Sequence, residues 1–177
     1  MQDQSRKLSH EETLAWIAQH KAWRRARKTR PIWVRELDVA EIGREFLTAD
    51  HVTERAQAGY VLCVGVAGEP WFQKAERVRA KYQPGPSEQR MFSFDMAPRA
   101  YQVWQPKETV VNWAAQVTDK NSVGFSIRPN YDVAHPLYSP RGGYVVRDDT
   151  PDPYAAAPND VWLVQQGLFE STYEFIR

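Results

Sequence analysis

The sequence predicts an α+β fold: an N-terminal helix, then two small β-rich units, each ending in a short helical segment. Three observations carry that reading. Residues 9–29 place apolar side chains at helical spacing behind a capping pair, Ser9 and Glu12. Two apolar runs rich in β-branched residues begin at Gly59-Tyr60 and Gly143-Tyr144. Each run leads through a turn to an amphipathic stretch that closes on a tyrosine, Tyr82 or Tyr173. The expected division is a helix in 1–30, a first β-rich unit in 31–84 and a second in 85–177, packed as one body.

The elements follow in order. In the first segment Leu14, Ile17, Ala18 and Ala22 recur on a helical face, and Trp16 and Trp23 stand seven apart. Acidic residues open the segment and basic ones close it, which suits the helix dipole. Pro31 stops the helix. Residues 31–37 alternate as a strand, and Val39, Ile42, Phe46 and Leu47 have helical spacing. Residues 60–66 read as a β-rich apolar run bounded by Gly59 and Gly68, and Gly65 or Gly68 can supply a positive-φ turn. Residues 74–82 read as one or two helical turns. Pro84-Gly-Pro-Ser is the best linker in the chain. Residues 91–96 and 110–117 read as strands, and a proline-rich connection, 129–140, leads to the second Gly-Tyr strand.

The two halves share more than their endings. Arg27-Lys-Thr-Arg-Pro-Ile-Trp precedes the first Gly-Tyr run, and Gln105-Pro-Lys-Glu-Thr-Val-Val-Asn-Trp precedes the second. This common order predicts an internal repeat.

The chain has 177 residues, 42% hydrophobic and 25% charged, with seven tryptophans. These are globular values, and the rings alone supply core material. A formal charge of +1 leaves no global field toward DNA or membrane. There is no apolar stretch long enough to span a bilayer, no leader-like N-terminus, and a single cysteine, Cys63. The expectation is a cytoplasmic protein that does not engage membrane.

One block carries a resemblance. Phe169-Glu-Ser-Thr-Tyr-Glu after Gly143-Tyr144 resembles the ending of small uncharacterised phage and prophage proteins, which run Gly-Asp-Tyr, an apolar strand, Gly-Glu-x-Tyr-Pro and Phe-Glu-x-Thr-Tyr-Glu. Those proteins often begin with Arg-Lys-x-x-Pro. Gly59-Tyr60, Gly68-Glu-Pro-Trp71 and Tyr82 resemble the same ending in the first half. The Asp is missing from both copies, and Val78-Arg-Ala-Lys-Tyr stands in place of Phe-Glu-x-Thr-Tyr in the first. The resemblance implies mobile-element ancestry and a compact β-rich fold, and it brings no catalytic residues.

Chemistry is sparsely signalled. Cys63 lies in an apolar strand, which supplies neither base nor positive charge to make a thiolate, so it reads as core. His10, His20, His51 and His135 have no local metal-ligand spacing, so no metal site or cofactor is expected. Asp148, Asp149 and Asp152 sit among prolines and read as turn formers. The sharpest cluster is basic: Lys21, Arg24, Arg25, Arg27, Lys28 and Arg30, with Trp23 interleaved. Such residues neutralise phosphates while an indole stacks on a base. They equally suit a solvated helix end. The preferred reading is a non-enzymatic binding or structural accessory protein with a protein partner, possible phage or prophage origin and no catalytic residues. The alternatives are a nucleic-acid-binding module working through residues 21–30, and an enzyme whose site converges from distant residues.

Overall fold

The computed structural model describes residues 6–47, 53–93, 98–129, 132, 134–155 and 160–177. Among them the chain is mostly β, with fifteen strands in four sheets and three α-helices. It runs β1 (Lys7–Leu8), α1 (His10–Gln19), β2 (Arg24–Lys28), β3 (Ile32–Glu36), a 3-10 turn (Val39–Glu41), β4 (Glu45–Leu47), β5 (Thr53–Arg55), β6 (Tyr60–Val64) and β7 (Pro70–Lys74). It continues α2 (Ala75–Lys81), β8 (Tyr82–Phe92), β9 (Arg99–Pro106), β10 (Asn112–Gln116), β11 (Gly124–Ile127), β12 (Leu137–Pro140), β13 (Tyr144–Asp148), β14 (Val161–Val164), α3 (Gln166–Thr172) and β15 (Tyr173–Phe175).

The chain forms two compact units. A continuous unit takes Thr29–Glu108, and a split unit takes the chain before it and after it. In the split unit a five-stranded sheet has the order β14-β13-β10-β2-β15, and α1 accompanies a three-stranded sheet, β1-β11-β12. Strand alternation puts Ala115 and Val145 on one face with Ile17, Trp23 and Phe125, and puts Ala114 and Val146 on the other with Tyr144, Phe169 and Tyr173. Both faces of the sheet are thus covered. In the continuous unit a five-stranded sheet has the order β7-β6-β3-β9-β8, and β4 and β5 form a separate ribbon. Ile32, Val34, Val61, Cys63, Val78 and Tyr82 cluster on one side, and Phe46, Leu62, Val64, Phe72 and Tyr101 form a second cluster.

The two five-stranded sheets are built alike. Trp33 of β3 and Trp113 of β10 take the same place: Val64 faces the first, and Arg147 faces the second. Val61 then corresponds to Tyr144, since each faces the last residue of its neighbour, Glu36 or Gln116. One strand further out, Trp71 corresponds to Trp162 through their partners Cys63 and Val146. A seven-residue helix follows in both, with Val78 or Phe169 buried, and Tyr82 or Tyr173 next in extended conformation. On the far side Tyr82 faces Pro106, and Tyr173 faces Lys28. Trp104 therefore corresponds to Ala26, and the inner pairings agree, because Trp104 faces Ile32 and Ala26 faces Asn112.

Several expectations are corrected. The α+β layout led by a long helix gives way to a mostly β chain that opens on a short strand before α1. The helix begins as read, with the Ser9 hydroxyl accepting from the Glu12 N–H at 3.2 Å and the Glu12 carboxylate accepting from the Ser9 N–H at 2.8 Å. It ends at Gln19, and Lys21 takes a φ of 50°, which turns the chain out of the helix. Residues 24–28 are a strand because pairing with β10 and β15 satisfies both edges and buries Ala26 completely. Val39–Leu47 forms the 3-10 turn and β4 instead of a helix. Pro84-Gly-Pro-Ser lies inside β8, with a bulge between Pro84 and Gln89. β8 is an edge strand, where proline's missing N–H is tolerated. The Gly-Tyr pairs are one residue out of phase. Tyr60 packs with the Phe46 cluster, whereas Tyr144 packs with Phe169. A one-residue slip sends a strand side chain to the opposite face. Phe94, Asp95 and Met96 of the strand expected at 91–96, and His51, lie outside the described residues.

Candidate functional site

The continuous unit carries a half-open groove of about 220 Å³. Its apolar wall is Val34, Val61, Val78 and Trp104, from β3, β6, α2 and β9. Arg79 and Glu36 line it as well, their nearest charged atoms 4.0 Å apart, and both side chains are well exposed. The helix carrying Val78 is short and follows β7 without a loop, so the buried Val78 is fixed against the sheet.

The same place in the split unit is filled. Tyr144 and Phe169 stack with centroids 3.8 Å apart, and Phe169 and Tyr173 stack at 4.6 Å. Phe175 lies 5.5 Å from Phe169, with the Arg24 guanidinium 3.8 Å from its ring centre. All three stacked rings are buried. Val61 and Val78 are the counterparts of Tyr144 and Phe169, so the groove is open where two rings are replaced by two valines. Gln102 and Pro84 occupy the positions of Arg24 and Phe175.

The continuous unit also holds a buried ion pair. Arg35 donates to both Glu41 oxygens, Nη1 at 2.7 Å and Nη2 at 2.8 Å. The side chains are 12% and 6% exposed, so the pair is shielded from screening by solvent. Glu41 also accepts from the Asp38 N–H at 2.8 Å. The Arg35 hydrogen bonds hold the Glu41 carboxyl below its ordinary range, and they push the already basic guanidinium higher. Arg35 belongs to the groove wall, but its charge is already committed to Glu41.

The basic run is distributed over both faces of a strand. Arg25 donates to Asp149 at 3.2 Å, and Arg27 donates to Glu174 at 2.5 Å. On the opposite face Arg24 covers Phe175, and Lys28 lies 5.6 Å from the Tyr173 ring centre. Lys21 sits 4.8 Å from the Tyr154 ring centre, and Arg30 is exposed in the bend before β3. Trp23 is 7% exposed in the core, and its backbone N–H donates to the Tyr154 hydroxyl at 3.0 Å. An indole placed so is not presented to a base, and two of the six cations already face carboxylates.

The other candidates are scattered. His10 Nδ1 accepts from the Arg128 N–H at 3.0 Å, and burial lowers its pKa. His20 stacks on Trp16, and His135 bonds Asp132. Asp149 pairs with Arg25, and the Asp152 carboxylate accepts from the Tyr154 N–H at 2.9 Å in a turn. Cys63 is fully buried. No helix among the described residues is long and apolar enough to cross a membrane. Compared with known proteins, the chain matches no family model, no curated protein and no solved structure.

The groove was missed at the level of sequence because its residues come from four separated strands and a helix. The signal available was the contrast of Val61 and Val78 with Tyr144 and Phe169, which appears only once the repeats are aligned in the correct phase.

Proposed function

We propose that the protein is a non-enzymatic binding and accessory protein that holds an aromatic side chain of a protein partner in the groove of the continuous unit. One observation carries this reading: the same architecture occurs twice, with its helix-sheet corner closed by the chain's own rings in one copy and open in the other. An apolar cavity of about 150 Å³ suffices for a benzene ring, so a groove of about 220 Å³ has room for one. Trp104 offers an aromatic wall for offset or edge-on packing. Glu36 and Arg79 would accept from and donate to the backbone beside that ring. The likeness of the Phe169-Glu-Ser-Thr-Tyr-Glu block to small phage and prophage proteins supports an accessory role in a mobile element.

The test is a titration of the isotope-labelled full-length protein with short peptides bearing tyrosine or phenylalanine, followed by NMR. The reading expects shifts of the Trp104 indole N–H and the Val34 and Val61 methyls, and the absence of those shifts in Val78→Phe, which fills the groove. Shifts confined to other surfaces, or unchanged in Val78→Phe, would overturn it.

A further inference from the structure

The chain passes through one element order twice. The first pass is β2, β3, β6, β7, α2, β8, and the second is β9, β10, β13, β14, α3, β15. If each pass closed on itself, β2 would lie between β3 and β8. Instead β2 lies between β10 and β15, and β9 lies between β3 and β8. The two passes have exchanged their first strands.

Side-chain size and charge favour that choice. The position that faces Asn112 beneath the Tyr144–Phe169–Tyr173 stack holds Ala26, fully buried. Its counterpart Trp104 is far larger, and it stands where Val61 and Val78 leave room. Arg25 and Arg27 find Asp149 and Glu174 only between β10 and β15. β9 offers only the uncharged Val103 and Gln105 at those two positions. Thus the slot between β10 and β15 selects β2 by shape and by charge.

A strand exchanged within one chain makes the same contacts when exchanged between two. Only the linker and the concentration differ, which is why exchange of an identical element is a low-cost route to a dimer. The link from β2 to β3 is only Thr29, Arg30 and Pro31. We propose that the split unit is an interaction surface for the β1-α1-β2 segment of a second copy of this chain, whose β2 enters the slot between β10 and β15 while its α1 and Trp23 join the core beside β11, giving a reciprocally exchanged dimer.

The test uses two full-length variants, Arg27→Glu and Glu174→Arg. Each alone sets like charges opposite one another at an exposed site, so each still folds. In an exchanged heterodimer of the two, both slots regain an opposite-charge pair, one native and one reversed. The variants are mixed in guanidinium, refolded together at rising concentration, and weighed by native mass spectrometry. The proposal expects dimers in which the heterodimer exceeds the statistical half by several-fold, with the excess shrinking at high salt. It also expects wild-type dimers that persist on dilution and are released only by unfolding. Monomers alone at every concentration, or a statistical mixture of dimers, would overturn it.

Discussion

Tyr144 and Phe169 stack face to face with their planes 10° apart, while their counterparts Val61 and Val78 line an open groove. The pair closes the corner between α3 and its sheet, and the rings of Tyr173 and Phe175 extend it. Phe169→Ala removes the central ring of this stack. A buried phenylalanine cut to alanine costs about 3–5 kcal/mol, through lost transfer energy and a residual cavity. Denaturant unfolding followed by a probe in the split unit measures it. A loss below about 1 kcal/mol would mean that the stack adds little to the unit.

Glu41 and Arg35 form the most shielded ion pair described. Removing one partner of such a pair leaves an uncompensated buried charge, at a cost of about 3–5 kcal/mol. Glu41→Ala is expected to fall in that range. Because the folded Glu41 carboxyl titrates below its unfolded value, its contribution is present above the ordinary Glu range. That contribution drains away as pH falls through the depressed folded value. Stability measured against pH should therefore decline on acidification in the wild type, and less steeply in Glu41→Ala. Equal slopes in the two proteins would remove the pair as a source of acid sensitivity.

Residues 169–177 hold Phe169 in the core and lay β15 along β2, so the chain end is part of the sheet. Deleting 169–177 is expected to lower stability by several kcal/mol, a large share of the roughly 5–15 kcal/mol typical of a domain. A deletion that melts within about a degree of the intact protein would show that the tail contributes nothing.

Cys63 has no exposed surface, with Val34 facing it from β3 and Trp71 from β7. Labelling by a thiol reagent should be slow in native buffer and fast in denaturant. Rapid native labelling would show that this sheet opens readily.

The basic run tests what charge alone implies. With Arg25 and Arg27 paired and Trp23 in the core, binding to an oligonucleotide at physiological salt is expected to be weak. Tight binding with a steep salt dependence would show that the ion pairs yield to phosphate.

Much of the fold was legible where one strand or turn carries its own signal. The Ser9–Glu12 cap, the strand at Tyr60–Val64 and the turn at Gly68, with φ of 79°, all follow from local chemistry. Residues 24–28 were not legible. Arg and Lys favour helix over strand, and they continue the helical pattern before them. What makes them a strand is pairing with residues about ninety and one hundred and fifty positions away, Asn112–Ala114 and Tyr173–Phe175. The bulged edge strand β8 defeated the linker reading for a similar reason, since proline signals a break except where no N–H is needed. The groove was least legible of all, because it depends on a difference between two copies.

Those comparisons all rest on which strand lies where. Backbone NOEs across the two central strands report it directly: the exchanged arrangement predicts contacts between Ala26 and Asn112 and between Trp104 and Ile32. Contacts between Ala26 and Ile32, or between Trp104 and Asn112, would place each strand in its own pass and contradict the account.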